Sequence, residues 1–477
     1  LFISFVKINI KIYDYNILYK IIMSNEKHKR LNIIDLKNNH SVKFGIFMMA
    51  LKNLEESCDW YRICGIHGDT FRPNDKKVLC PTDPDIVTAI CKTDEPFYCK
   101  HKVYSFIAWH TPYIYQFELL LNKYNNSTNK EYITLPYLDL TDYTVDFSFL
   151  NLEKITIKYE NNDITIDNPL ASAYYYKDNV KTKTTRNGFL NPKTPDDKMK
   201  LDVVKKQLNN TLYASSYEEF SSHPVSYVKT GLITEYTPLE TPHNSLHDII
   251  GGINGNMSDI SISAFDPLFW LHHCNMDRFF YTWMYNNTNQ FKKSIYPKKI
   301  KKDTYMATQA PFFHTGIYSE DYNKYKYGWR NQKVKYMLLK NMLNLDRYPF
   351  TYDIIQAEPE QPTLSFIELI EIPIPMESVT INVYLVPKNK KLNKEKHYAG
   401  SSFYFGVNRN IIDCKRCAIT RTNFKVDIDS YVERNNITND NINNYDIIIE
   451  GEGKILNNSY KHEDLLKDGL IHVKIGK

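Results

Sequence analysis

Glycine is scarce in this chain, 16 of 477 residues, and alanine is sparse too, while asparagine, lysine, isoleucine and tyrosine are abundant. An AT-rich coding sequence produces that skew, so the asparagine-rich stretches and their chance Asn-x-Ser sequons carry no functional weight. An excess of one charge is also missing. The 60 lysines and arginines against 55 aspartates and glutamates leave only +5, which points to neither a nucleic-acid nor a membrane partner. No run of roughly 20 apolar residues is present to span a bilayer. Residues 1–22 are broken by Lys7, Lys11, Asp14 and Lys20 and lack the apolar centre of a secretory signal. They read as translated sequence upstream of Met23, and a cytoplasmic location is the expectation. Cysteine is limited to eight residues, too few for a dense disulfide framework, although Cys58, Cys64, Cys80, Cys91 and Cys99 lie close enough in sequence to allow a bridge. No internal repeat of fixed period is visible.

With 42% hydrophobic and 24% charged residues the composition is that of a globular protein long enough for two or three domains. Apolar residues recur at helical spacing through "VKFGIFMMALKNLEES" and "YIYQFELLLNKY". Proline is tolerated in a first turn, so Pro112 places the start of the second of these helices near His110. Residues 123–235 read as irregular. Helical spacing returns in "PHNSLHDIIGG" and "SAFDPLFWLHHCNMDRFFYTW", and beyond about residue 350 short β-branched runs such as "VTINVYLV" and "YDIIIEG" predict an all-β region.

Of the 14 histidines, two groups stand out. His243 and His247 are four apart, one turn of a helix, so both rings share a face. His273 from a second helix completes a trio. Its neighbour His272 lies about 100° round that helix, so at most one of the pair is expected to face the same centre. The other group is His67 in "GIHGDTF" with His101 and His110 in "FYCKHKVYSFIAWH". Two all-imidazole trios without a carboxylate or thiolate at ligand spacing suit paired copper, with three-histidine zinc as the competitor; non-haem iron more often includes a carboxylate. Each feature alone has a bland explanation in surface, loop or core histidines. Jointly those explanations fail, since each must hold independently.

The chain resembles the tyrosinases of fungal type, and more distantly the molluscan haemocyanins, the binuclear (type 3) copper proteins. "GIHG", "CKH", "WHTPYIYQFE", "LPYLDLTD", "LETPHNSLHDIIGG", "NMSDISISAFDPLFWLHHCNMDRFFYTW", "YAGSSFYFG" and "CKRC" carry the resemblance, over about residues 33–420. It implies a mainly α fold: a helical-bundle domain with a binuclear copper centre over residues 23–350, then a smaller β-rich C-terminal domain over 351–477 that shields the site. It further implies that His67, His101 and His110 bind one copper ion and His243, His247 and His273 a second, with His272 packing behind. Asp277, one turn after His273, is expected either to hold a histidine N–H or to pair with Arg278. Cys99 is expected to form a thioether with His101, and Glu118, eight residues after His110, to support that ligand's helical face.

Activity follows from the same resemblance: a copper oxidoreductase using dioxygen to hydroxylate monophenols and oxidise o-diphenols to o-quinones, feeding quinone or melanin chemistry. Glu240 and Asn244 correspond to a pair proposed in tyrosinases to orient a water that takes the proton of a monophenol. The alternatives are a reversible oxygen carrier and a catechol oxidase without monophenolase activity, although carriers of this type are usually long arrays of such units. Small phenols, dioxygen and a copper donor protein are the expected partners, and the soft sulfurs of Cys414 and Cys417 are able to hand Cu(I) to the site, a disulfide or buried thiols being the alternative. Two departures from the family pattern, Thr111 in place of arginine and Leu138 and Leu140 in place of tryptophans, fall around the ligands rather than on them.

Overall fold

The computed structural model describes residues 27–65, 67–68, 99–177, 180–222, 237–287, 348–354, 365–373, 378–404 and 421–452, with short pieces at 78–80, 83–88, 308–313, 336–338, 343, 345, 460–461 and 471–475. Strand β1 (His28–Arg30) runs parallel to β2 (Phe350–Tyr352), placing Arg30 opposite Tyr352. Between them in sequence come α1 (Ile33–Asn39), α2 (Ser41–Glu55), α3 (Cys58–Gly65), α4 (Phe106–Lys123), α5 (Pro195–Thr211), α6 (Tyr217–Ser221), α7 (Glu240–Gly251) and α8 (Pro267–Asn286). One contiguous hydrophobic core extends from Ile33 to Tyr352.

Helix α8 is the axis of that core. Asp266 caps it by accepting from the Leu268 amide at 2.9 Å, Pro267 occupies a first-turn position that needs no donor, and Arg186 grips the same carboxylate at 2.7 Å. Every residue from Pro267 to Trp283 is buried, which explains why its apolar pattern runs all round the helix. Helix α7 stops at Gly252, whose φ of 62° suits glycine and whose amide closes on the Asp248 carbonyl at 2.7 Å. A Cβ there would stand 2.5 Å from the Asn187 carbonyl carbon.

Two expectations are corrected. Helix α4 begins at Phe106, not near His110, so Pro112 lies in its interior. The extra turn buries Phe106, Ile107, Ala108 and Trp109 completely, and burying large apolar side chains at ~1.5–3 kcal/mol each outweighs the ~3 kcal/mol an internal proline costs. Residues 123–235 are not irregular throughout: they contain hairpins Lys154–Tyr159/Asn162–Asp167 and Tyr174–Lys177/Val180–Lys183, and α5. The start of α5 was legible, since Thr194 and Asp197 form a reciprocal capping box.

After residue 350 the described elements are mainly strands. Strand β3 (Phe366–Pro373) pairs antiparallel with β6 (Arg421–Asp427) and β9 (Ile471–Lys474). A second sheet has the order β5 (Tyr398–Tyr404), β4 (Val379–Pro387), β7 (Tyr445–Glu452), β8 (Tyr460–Lys461). These strands and the short helix α9 (Asp429–Arg434) enclose their own core, from Ile367 to Ile475. They meet the helical region through a small cluster of Met199, Tyr384, Val386 and Tyr398, a hydrogen bond of 2.8 Å from Thr380 Oγ1 to Asp248 Oδ2, and a Lys206–Glu433 ion pair. The fold is thus mainly α with a smaller β-rich C-terminal part. Cys414 and Cys417 lie outside the described residues. No described helix is long and apolar enough to cross a membrane.

Candidate metal centre

Six histidines from distant parts of the chain converge in the helical core. His67 follows the end of α3, His101 lies in irregular chain before α4, His110 is in α4, His243 and His247 are in α7, and His273 is in α8. In the first trio the three ring-to-ring distances are all 5.7 Å. In the second they are 4.5, 4.7 and 5.4 Å. The trios face each other: His110 stacks on His273 at 4.5 Å and His101 lies 5.5 Å from His243. Phe269 packs against His67 and His273, at 4.7 and 4.1 Å.

Backbone carbonyls fix how these rings point. His110 Nδ1 lies 2.7 Å from the Phe106 oxygen, His247 Nδ1 2.8 Å from that of Met257 and His67 Nδ1 3.2 Å from that of Ile260, while His243 Nδ1 meets Asn244 Oδ1 at 2.8 Å. A ring whose Nδ1–H is donated outward presents its Nε2 lone pair inward. In the second trio His273 Nε2 stands 3.2 Å from His243 Nε2 and 3.3 Å from His247 Nε2. Two lone pairs cannot both be satisfied by one proton on the third nitrogen. A cation satisfies all three, and imidazole–metal bonds of about 2.0–2.1 Å in tetrahedral array put neighbouring nitrogens about 3.3 Å apart. His67 Nε2, His272 Nε2 and His273 Nδ1 are buried without a hydrogen-bond partner, a costly state that a bound ion relieves for atoms aimed at it. Burial holds all seven rings, His272 included, well below the ordinary histidine range, with His110 and His247 brought down to about 3. Neutral imidazole is the ligating form. The donor set therefore fits two ions held by nitrogen.

His272 departs from the helical-wheel expectation. Donor atoms of His243, His247, His272 and His273 all lie within 4.8 Å of one another. The His272 ring stacks on His243 at 5.1 Å and meets His247 edge-on at 4.6 Å, because α7 crosses α8 where both of the adjacent rings reach it. Cys99 joins the first cluster, its Sγ 3.5 Å from His101 Nδ1 and 3.5 Å from His110 Nε2, in contact with both rings.

The expected supporting residues are placed differently from their sequence reading. Asp277 holds no histidine and does not pair with Arg278. It accepts from Thr111 Oγ1 at 2.6 Å, Tyr352 OH at 2.5 Å and Arg30 Nη1 at 3.2 Å. Glu118 does not reach His110 but takes Arg30 Nε at 2.8 Å, the Leu135 amide at 2.8 Å and Tyr132 OH at 3.0 Å. Both carboxylates turn to the far side of α4 and α8, toward the buried Arg30 guanidinium. Burial alone would lower the Arg30 guanidinium, yet Glu118, Tyr352, Cys274 and Asp277 together hold it above its ordinary value. Arg278 instead pairs with Asp139 at 2.6 Å. Glu240 accepts from the Lys102 amide at 2.9 and 3.0 Å and from Ser222 Oγ, and burial raises its carboxyl. The Lys102 ammonium lies 3.3 Å from the Tyr404 ring centroid, and burial pulls it down to about 7. Sequence reasoning missed Arg30, Lys102, Ser222 and Tyr352, none of which carries a local pattern.

Residues 58–286 match the family model for the common central domain of tyrosinase. A tyrosinase of Neurospora crassa is 26% identical over 327 residues, 59% of this chain and 46% of that protein. Polyphenol oxidase 4 of Agaricus bisporus is 27% identical over 294 residues, 53% and 46% of the two chains. Hemocyanin 1 of Megathura crenulata is 26% identical over 193 residues, 39% of this chain and 5% of that one. The chain thus spans about half the length of the tyrosinase and polyphenol oxidase relatives. Among solved structures, recombinant mushroom tyrosinase superposes with a TM-score of 0.65 over 92% of both chains at 17% identity, a likeness of fold. Residues 58–286 thus carry the common central domain of tyrosinase, which the chain shares with tyrosinase and polyphenol oxidase relatives.

Proposed function

We propose that the protein is a copper oxidoreductase that uses dioxygen to hydroxylate monophenols and to oxidise o-diphenols to o-quinones. The observation that carries this reading is the pair of facing imidazole trios, with His110 stacked on His273 at 4.5 Å. His67, His101 and His110 would hold one copper ion and His243, His247 and His273 the other. When bound, such a pair would supply dioxygen binding and the acceptor for the two electrons that oxidation of a diphenol to a quinone releases.

This chain's own residues do the rest. Backbone carbonyls of Phe106, Met257 and Ile260 fix the tautomers of His110, His247 and His67. Asn244 does the same for His243 through its side-chain oxygen. Phe269 walls the space beside His67 and His273. His101 is less deeply buried than its five companions, so its side is where a phenol would approach. A monophenol, with a pKa of about 10, must lose a proton before it can bind as phenolate. Glu240 accepts three hydrogen bonds, and a carboxylate has about four acceptor sites, which leaves one for the water that takes that proton. The C-terminal sheet, through Tyr404 on Lys102, covers this side and would restrain the activity until it is displaced.

Quinone formation from tyrosine and from a catechol, before and after limited proteolysis of the C-terminal region, tests the reading. Quinone from both substrates, increased by proteolysis, is the expected result. Activity on catechol alone would make the protein a catechol oxidase. Reversible oxygen binding with no quinone from either preparation would make it a carrier and overturn the proposal.

A further inference from the structure

Of the six convergent histidines, His101 alone is carried by irregular chain rather than by a helix or the turn directly after one. The residue that follows it, Lys102, has a φ of 53°. That is the left-handed region, which a side chain with a Cβ enters only when its surroundings hold it there. The Lys102 amide donates to both carboxylate oxygens of Glu240, at 2.9 and 3.0 Å, and Ser222 Oγ donates to the same carboxylate. Glu240 and Ser222 are both buried, 6% and 0% exposed. Glu240 is also the first residue of α7, one turn ahead of His243. A carboxylate on the helix that carries two members of one trio therefore grips the backbone beside the middle member of the other.

We propose that Glu240 is a positioning residue that sets the first histidine trio against the second by pinning Lys102 in its left-handed conformation, with Ser222 orienting the carboxylate. The proposal rests on the reading that both trios hold copper. Without the clamp, Lys102 relaxes to negative φ and the His101 ring leaves the cluster. His67 and His110 remain as a two-ligand remnant, while His243, His247 and His273 keep their three. The loss is one-sided. A role confined to holding a water makes no demand on the backbone of Lys102, so the two roles of Glu240 separate by experiment.

The test uses the full chain with the substitution Glu240→Gln, alone and combined with Lys102→Gly. Glutamine keeps the size but offers one acceptor oxygen instead of two and turns an N–H toward the Lys102 amide. Glycine takes positive φ unaided, so it removes the need for the clamp. Copper per chain after dialysis against a chelator is the first readout. The electron paramagnetic resonance signal of the oxidised protein is the second, because a lone Cu(II) is visible and a coupled pair is silent. E240Q should retain one copper and show the signal; E240Q with K102G should retain two and lose it; K102G alone should retain two and stay silent. Full copper retention by E240Q, or no recovery on adding glycine, overturns the proposal. Should E240Q not accumulate, Ser222→Ala weakens the same carboxylate and must be rescued by K102G in the same way. If the parent takes up no copper, the copper reading has failed and the clamp is read directly: exchange of the Lys102 amide should be at least tenfold faster in metal-free E240Q. Unchanged exchange there overturns the clamp as well.

Discussion

Helices α4 and α8 have two buried polar faces that solve opposite problems. On one face His110 and His273 join other imidazoles whose inward nitrogens crowd together, 3.2 and 3.3 Å apart in the second trio, with at most one proton to share between two lone pairs. On the other, one residue after His110 and four after His273, Thr111 and Asp277 enter a network with Arg30, Glu118 and Tyr352 in which donors meet acceptors, Arg30 Nη2 excepted. The back face is closed, since its one cation is supplied by the chain and lies against its carboxylates and the Phe350 ring, 3.4 Å from the centroid. The front face, by contrast, has no cation of the chain's own among the described residues, and its converging imidazole nitrogens fit a metal ion. Polarity and burial are alike in both; what separates a binding centre from a structural one is whether the chain itself supplies the cation.

That contrast predicts where each face fails. The largest effect should come from acid acting on the metal-free protein. The histidines are held neutral by burial, with His110 and His247 near 3 when folded, whereas an unfolded histidine titrates at about 6.5. A depressed value means that the unfolded chain binds more protons below about 6.5, so stability is full above that pH and falls as pH drops toward the folded values. At pH 5 each such ring costs about 2 kcal/mol. Near-UV circular dichroism should therefore be lost between about pH 6.5 and 5, and bound copper should move the loss to lower pH. If the metal-free protein keeps its signal to pH 4, the front face is not as unbalanced as described.

Next in size is Arg30→Met, which strands Glu118 and Asp277 in the core. Urea unfolding of the metal-free protein should show a loss of about 3–5 kcal/mol. Thr111→Val removes one hydrogen bond to a buried carboxylate and should cost about 1.5–3 kcal/mol in the same assay. The smallest change in metal-free stability is expected on the front face: His247→Gln gives up little more than its bond to Met257, about 1 kcal/mol, yet should abolish copper retention at the second trio. An equal stability loss for His247→Gln and Arg30→Met would erase the distinction between the faces.

The two faces also differ in how far they could be read in the sequence. His243 and His247 announce themselves by helical spacing, and His273 by a motif long enough to assign a family. The back face has no such signal. Arg30 meets Glu118 across 88 residues and Asp277 across 247, and nothing in "HKRLN" marks the arginine as buried. Asp277 was singled out, but a position one turn from a ligand says which face a residue borders only if the crossing of helices is known. His272, read as packing behind the second trio, stacks on the His243 ring at 5.1 Å. Lys102 and Ser222 were invisible because a left-handed φ on a lysine has no sequence signature, and Glu240 drew attention only for a water. The start of α4 was misjudged because a local rule about proline was applied without the tertiary burial that outweighs it.

Copper titration of the purified metal-free chain, followed by metal counting after gel filtration, tests the account most directly. Two tightly held ions per chain are predicted, falling by one when His110 is replaced by glutamine and by the other when His273 is replaced. Uptake well short of a pair, or uptake indifferent to losing those two stacked rings, would contradict it.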